Sequence, residues 1–470
     1  MARSEAMPTD EASFAQSTDT SAPSGSDPLR SCPVNPPAYL LAVLSLIYMS
    51  SLVDRTILNI VAQAIKVDLG LSDTQIGLLG GLAFSALYAV LGIPCARLTE
   101  RKNRVTILAV AVAIWSFMTT MCGFAMNFWQ LAIARAGVGI GEAACTPCAH
   151  SMIGDSFPHD RRATAISIYS LAIPLGTLVG VLGGAWLVEH YSWRAAFIAA
   201  GLPGLLIAVL TKLTLKDPVR GAFGAAPPKN PPPISAVLRQ LWVRPTFRNL
   251  LIGVTGSTLV NAGISAFIAP YLLRSPFDVG LTQTALAIAF LGGVAAFLGT
   301  LVGGPLGDLL ARRDVRYLLM VSSLGFLIAA PCWIAAFFSP NLAGFLVCAA
   351  FAQILAAVYV GPTFGVLHNM VETRMRATAV AIVFVCTSLL GIGAGPAVMG
   401  KISDVAAEIY FDGNYGGLCS SAMDMARAAC RDASFEGLRF ALAVGGLLHL
   451  VPAFFYFRAS RTTKQDMLEE

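Results

Sequence analysis

Four ionisable residues in otherwise apolar surroundings are where chemistry is to be expected. Arg135 and Glu142 lie seven positions apart in WQLAIARAGVGIGEAACTPCAHSMIG, residues 129–154, and Asp54 and Arg55 are adjacent in SLVDRTILNIVAQ. At 3.6 residues per turn, seven positions are two turns, so Arg135 and Glu142 project from one helix face about 10 Å apart along the axis. A charge at bilayer depth costs roughly 2.5 to 3.5 kcal/mol, so such groups turn toward protein or water. Acids and bases placed there can take up a proton and re-pair, and that charge event can bias a two-state motion.

The elements that must hold these residues follow from composition. The chain has 470 residues, 56% of them hydrophobic and only 13% charged, about half the charged share of a soluble domain. It belongs in a membrane, with the bilayer as its first partner. The net charge of +5 is assigned to Lys and Arg kept on the cytoplasmic side rather than to a nucleic-acid patch. Residues 1–37 are rich in Ser, Thr, Asp and Pro and are expected to form a disordered cytoplasmic tail. No cleavable signal peptide is recognisable there.

Twelve apolar segments follow, each near the ~20 residues that a spanning helix needs. They are predicted at 38–65, 73–96, 105–126, 129–154, 162–188, 192–214, 248–273, 281–307, 316–338, 341–370, 376–401 and 434–457. The expected organisation is an all-α membrane protein of two pseudo-symmetric six-helix bundles, 38–214 and 248–458. A Pro-rich cytoplasmic linker at 215–247 joins them, with a short interfacial helix around Ser235 to Trp242, and 459–470 form a cytoplasmic tail. Lys and Arg cluster in loops after even-numbered spans, which places both termini in the cytoplasm. The halves echo each other. ARLTERKNR at 96–104 parallels GPLGDLLARR at 304–313, pairing Glu100 with Asp308 at an offset of 208, and Arg162-Ala163-Thr164-Ala165 parallels Arg376-Ala377-Thr378-Ala379. Halves of this kind are a transporter signature, with the substrate path between them.

Depth along the spans puts Asp54 and Arg135 in the outer half of the membrane, where they are expected to pair if spans one and four face one cavity. A static ion pair that fixes helix packing is the alternative. Glu142 falls deeper, with no charged partner expected at its level. Burial disfavours a carboxylate's charged form and Arg neighbours favour it, so Glu142 is expected to load a proton more easily than Asp54. Spans seven, eight, ten and eleven carry no acidic or basic residue between their ends. They offer Asn261, Phe267, Tyr271, Phe290, Phe297, Tyr359, Thr387 and Ser388 instead, a mostly apolar lining suited to a substrate with a greasy portion.

Other motifs carry less. GVGIG at 137–141 lies within a spanning helix, not between a strand and a helix, and is not a dinucleotide loop. The small residues around Pro174 and around Pro396 are expected bending points. CTPC at 145–148, near His150, raises a membrane thiol redox centre or a soft-metal site, but no second Cys or His cluster completes it. No metal and no cofactor is expected. Cys419 and Cys430, alone among the ten cysteines in sharing an extracytoplasmic loop, are expected to form a disulfide.

The twelve spans, the duplicated loop and the Arg135-bearing fourth span resemble the major facilitator superfamily over residues 38–458. Two departures are Ala96 where that loop usually begins with Gly and Glu100 where it usually has Asp. Within the superfamily, Asp54-Arg55, Glu100-Arg101-Lys102-Asn103-Arg104 and the run from Arg135 to Gly141-Glu142-Ala143 resemble the spinster family in a bacterial version. The resemblance implies proton-linked transport of lipids such as sphingoid phosphates or lysophospholipids, with Asp54, Arg55, Arg135 and Glu142 as coupling residues. It makes Glu100, Arg101, Arg104, Asp308, Arg312, Arg162 and Arg376 candidate gating contacts. The reading is therefore a monomeric, proton-coupled, alternating-access transporter of a bacterial inner membrane that moves an amphiphilic molecule. Its rivals are an exporter of drugs or small polar metabolites and, remotely, a thiol oxidoreductase using Cys145 and Cys148.

Overall fold

The computed structural model describes residues 35–220, 234–371, 375–411, 415–419 and 428–467, which are helical with no strand among them. Residues 1–34 of the expected tail and much of the linker fall outside the described residues, as do the side chains of Glu100, Arg162, Asp308 and Arg376, and span one already begins at Pro37. Spans one to six are Pro37–Leu69, Asp73–Gly80 continued by Leu82–Arg101, Arg104–Cys122, Phe128–Glu142 continued by Cys145–Ser156, His159–Ser170 continued by Ala172–His190, and Trp193–Thr214. The linker helix is Ile234–Trp242. Spans seven to twelve are Pro245–Arg274, 281–311, Tyr317–Phe337, Leu342–Ala357 continued by Val360–Asn369, 376–410, and Ala428–Leu448 continued by Leu450–Asp466. Eleven helices among the described residues are long and apolar enough to cross a membrane. Span four is the twelfth and is divided at Ala143 and Ala144.

Four of the divisions have a common cause. A proline lacks the N–H that would bond the carbonyl four residues back, and its ring crowds that carbonyl. Pro147, Pro174, Pro362 and Pro452 stand four residues after Ala143, Ser170, Val358 and Leu448, where spans four, five, ten and twelve break. Span four was expected as one helix; it ends at Glu142 instead, so Glu142 sits at the joint. Spans eight and eleven loosen into π-helical turns at Phe290–Ala295 and Thr387–Gly393. Span eleven also runs past its predicted end to Tyr410, and span twelve extends from Ala428 to Asp466. The turns added at the end of span twelve, RASRTTKQD, are polar, so hydropathy could not include them.

The halves repeat one packing pattern. Span three lies along span six as nine lies along twelve, one along five as seven along eleven, three along four as nine along ten, and two along four as eight along ten. Where span three begins, Arg104 is 1% exposed and saturated. Its Nε donates to Asp217 at 2.7 Å, its Nη1 to Asp155 at 2.5 Å and Ser151 at 2.9 Å, and its Nη2 to the Pro218 carbonyl at 2.6 Å. Arg104 was expected as a gating contact, but its guanidinium is consumed inside its own half, clipping the start of the linker to spans three and four. Arg104→Ala leaves two carboxylates without their buried partner. A loss of about 3 kcal/mol or more of stability is expected, read as a drop in thermal unfolding temperature in detergent. Arg101 and Arg312 are exposed.

Candidate functional site

Spans one, two and four bring the four ionisable residues together. Glycines allow the approach: a Cβ at Gly139 would meet the Phe84 carbonyl of span two, and one at Gly141 would press on the Ala111 carbonyl and Trp115 of span three. The charged face of span four is thereby pressed against its neighbours.

The pairing differs from the expected one. Arg55 Nε donates to Glu142 Oε2 at 2.6 Å, so the partner Glu142 was expected to lack comes from span one. Adjacent residues on a helix point about 100° apart, and span one uses that divergence to send Arg55 to Glu142. Arg135 does not pair with the Asp54 carboxylate. Its Nη1 donates to the Asp54 main-chain carbonyl at 3.2 Å. Neither Asp54 carboxylate oxygen accepts a hydrogen bond among the described residues, and the buried Thr119 hydroxyl is likewise unmatched. Asp54, Arg135 and Glu142 are at most 2% exposed, whereas 30% of the Arg55 side chain is accessible. Of the four groups, only Arg55 is reachable. The Arg55 guanidinium lies 4.9 Å from the centroids of Phe84 and of Tyr88, and that of Arg135 lies 5.6 Å from Phe84. Cation–π contact of this kind is worth ~2 kcal/mol when desolvated and holds both cations in place when their anionic partners change.

The residues expected to line the C-terminal half divide. Phe267 and Tyr271 are fully buried, with the Tyr271 hydroxyl donating to the Phe337 carbonyl at 2.9 Å and its ring packed on Phe337, Phe345 and Phe435. They belong to the core, because they lie on the face of span seven that packs against spans nine, ten and twelve. Phe290 and Phe297 are exposed, and Asn261, Tyr359 and Ser388 are half-buried. Thr387 is buried and bonds the Val383 carbonyl at 3.0 Å. The thiols of Cys145 and Cys148 are free and enclosed in the N-terminal core. Cys419 and Cys430 are joined, with Cα atoms 5.6 Å apart.

A second polar cluster, not singled out by the sequence reading, joins the halves where spans one and seven finish. Asp73, 2% exposed, receives Lys66 Nζ at 2.7 Å, Arg274 Nη1 and Nη2 at 2.8 and 2.7 Å, and the Ser403 hydroxyl at 2.8 Å, and Arg274 Nε reaches Gln63 at 2.9 Å. Around it the halves cap each other's helices. Asp404 of span eleven accepts the main-chain N–H groups of Asp73 and Thr74 at 2.9 and 2.8 Å and the Thr74 hydroxyl at 2.5 Å. Glu189 of span five accepts the N–H of Thr282 at 2.9 Å and its hydroxyl at 2.8 Å. Each carboxylate satisfies orphan donors at a helix N-terminus of the opposite half. The internal repeat carried a signal for this cluster. Lys66 and Arg274, like Thr74 and Thr282, are separated by 208 positions, the offset that relates Glu100 to Asp308.

Between the cluster and the coupling face, span two lies on span eleven with almost no side chain between. A Cβ at Gly77 would meet the Pro396 carbonyl, one at Gly81 the Gly393 carbonyl, and one at Gly400 the Asp73 carbonyl. Gly77→Val is therefore expected to hold these spans apart and to lower transport at least tenfold at undiminished expression, measured as initial rate per folded protein. Wild-type rates would remove the contact from the account.

Comparison with known proteins agrees with this geometry. The family described as Major Facilitator Superfamily matches residues 44–405. An MFS-type efflux pump of Mycolicibacterium smegmatis is 29% identical over 92% of this chain and 94% of its own. Protein spinster homolog 1 of Homo sapiens is 29% identical over 78% of this chain and 73% of its own. A crystal structure of a bacterial homolog to the human lysosomal transporter Spinster, inward-facing and unoccupied, is 35% identical, with a TM-score of 0.82 over 92% of this chain and 98% of that one. With its twelve spans, repeated halves and paired charges in span one and span four, the chain is a multi-pass membrane transporter that belongs to the major facilitator superfamily, in its spinster branch.

Proposed function

We propose that the protein is a proton-coupled secondary transporter that carries an amphiphilic organic molecule by alternating access. The halves, 38–214 and 248–458, move against each other as two bodies, in a bacterial inner membrane with both termini cytoplasmic. The observation that carries the coupling is the unequal standing of two buried acids. Asp54 can take a proton without breaking an ion pair, whereas Glu142 must surrender Arg55, bound at 2.6 Å. This order of loading is the opposite of the expected one, which set the burial of Glu142 against the Arg neighbours of Asp54. Arg55 is the member of the set that a substrate can reach, so an anionic head group competes with Glu142 for it. The released Glu142 then becomes the acid that a proton neutralises. Charge is conserved in the exchange: Arg55 trades one anion for another, and a proton covers the one left behind.

An apolar portion of the substrate is supported by spans seven, eight, ten and eleven, which carry no acidic or basic residue between their ends and keep Asn261, Tyr359 and Ser388 partly accessible. A lysolipid or sphingoid-type lipid fits that division of labour. An exporter of drugs is the second reading, favoured by the similarity to an efflux pump across nearly the whole chain. A proteoliposome panel of labelled lysophospholipids, cationic dyes and sugars under an imposed pH gradient separates them. Lysophospholipid flux is expected; flux of dyes or sugars alone would overturn the substrate reading.

A further inference from the structure

We propose that the linker helix Ile234–Trp242 is a docking surface for an anionic phospholipid of the leaflet at which span seven begins. The helix buries Val237 and Leu241, both 0% exposed, against spans seven and eleven. Its other side stays uncovered, with Leu238, Trp242 and Val243 at 38%, 52% and 74% exposed. Two residues separate Trp242 from Pro245, where span seven starts. The apolar edge therefore stands at the depth where the chain enters hydrocarbon, the level that Trp favours.

A groove of about 490 Å³ runs along this edge, lined by Ser235, Leu238, Arg239, Trp242 and Val243. Its lining is apolar, and the exposed Ser235 and Arg239 stand on the same stretch of helix. Arg248, one turn into span seven, is also exposed. No acidic residue occurs from Ile234 to Leu251 to neutralise these arginines. The nearby Asp466 carboxylate is engaged, accepting the Thr246 N–H at 2.8 Å, and Arg244 is spent on the carbonyls of Met370 and Asp466. Two cations with no acidic partner among the described residues, beside a shallow apolar groove at the membrane surface, match a phosphate head group carrying acyl chains. A neutral lipid would satisfy the apolar lining and leave both arginines unmatched.

The test uses the full-length protein in nanodiscs, with tryptophan fluorescence quenched by dibrominated phosphatidylglycerol or, at equal mole fraction, dibrominated phosphatidylcholine. The difference between wild type and Trp242→Phe isolates the Trp242 signal. Stronger quenching by phosphatidylglycerol is expected. Arg239→Gln and Arg248→Gln are each expected to lower the preference by about fivefold, with quenching by phosphatidylcholine unchanged, and high salt acting on the wild type should erode the preference without any substitution. Equal quenching by the two lipids, or a preference that survives both substitutions and salt, would overturn the proposal. So would full competition by soluble glycerol phosphate, which would make this a free-anion site.

Discussion

Glu142→Gln is expected to reduce pH-gradient-driven transport roughly a hundredfold, at the upper end of usual coupling energies, while substrate counterflow without a gradient continues. Gln keeps the length and shape of the side chain, and its carbonyl still accepts from Arg55 Nε. It removes the carboxylate that a proton neutralises once Arg55 leaves. Asp54→Asn should weaken gradient-driven transport too, without loosening the Arg55 contact, because the Asp54 carboxylate holds no hydrogen bond to lose among the described residues. The two substitutions together should add little to Glu142→Gln alone, since the acids act as one unit. Equal loss of counterflow and of driven transport would instead mark these groups as packing residues.

The second large effect concerns the cluster that joins the halves. Asp73→Asn leaves Lys66 and Arg274, at 6% and 9% exposed, side by side without their anion. Removing one member of a buried ion pair costs about 3 to 5 kcal/mol, and here that cost falls on the conformation that assembles the cluster. The population open at that end should rise by roughly a hundredfold or more. Spin-label distances between the ends of spans two and eleven would report it as a longer component absent from the wild type. Glu189→Gln should do much less, since Glu189 and Thr282 are exposed and a cap of that kind is worth ~1 kcal/mol. A distance distribution unmoved by Asp73→Asn would show that the cluster does not hold this end shut.

How much of this was legible in the sequence varies with the physics behind each feature. The spans follow from hydropathy because lipid demands apolar length, and the divided halves follow from the proline-rich linker and the repeated loop. The break after Glu142 was only partly legible, since Pro147 marks Ala143 as a place for one, yet Pro203, Pro270 and Pro331 lie inside helices that run on unbroken. The partner of Glu142 was not legible. Depth along two antiparallel helices places Asp54 and Arg55 at nearly the same level, and only the rotation of span one decides which of them faces span four. Phe267 and Tyr271 were misplaced for the same reason, since composition does not say which face of span seven packs inward. The cluster around Asp73 was hidden because Lys66 and Arg274 lie where the positive-inside pattern counts them as sparse loop charges. Their common offset is meaningful only once helix ends are known to meet.

The central claim is that the charges of spans one and four link proton movement to substrate movement, and linkage runs in both directions. The most direct measurement loads proteoliposomes with whichever panel compound the wild type transports, imposes no pH gradient, and follows lumenal pH as the compound leaves. The account predicts a pH change that tracks the flux in the wild type and vanishes in the protein carrying both Asp54→Asn and Glu142→Gln, even where exchange of the compound persists. A lumenal pH that stays flat in the wild type, or shifts equally in the doubly substituted protein, would contradict it.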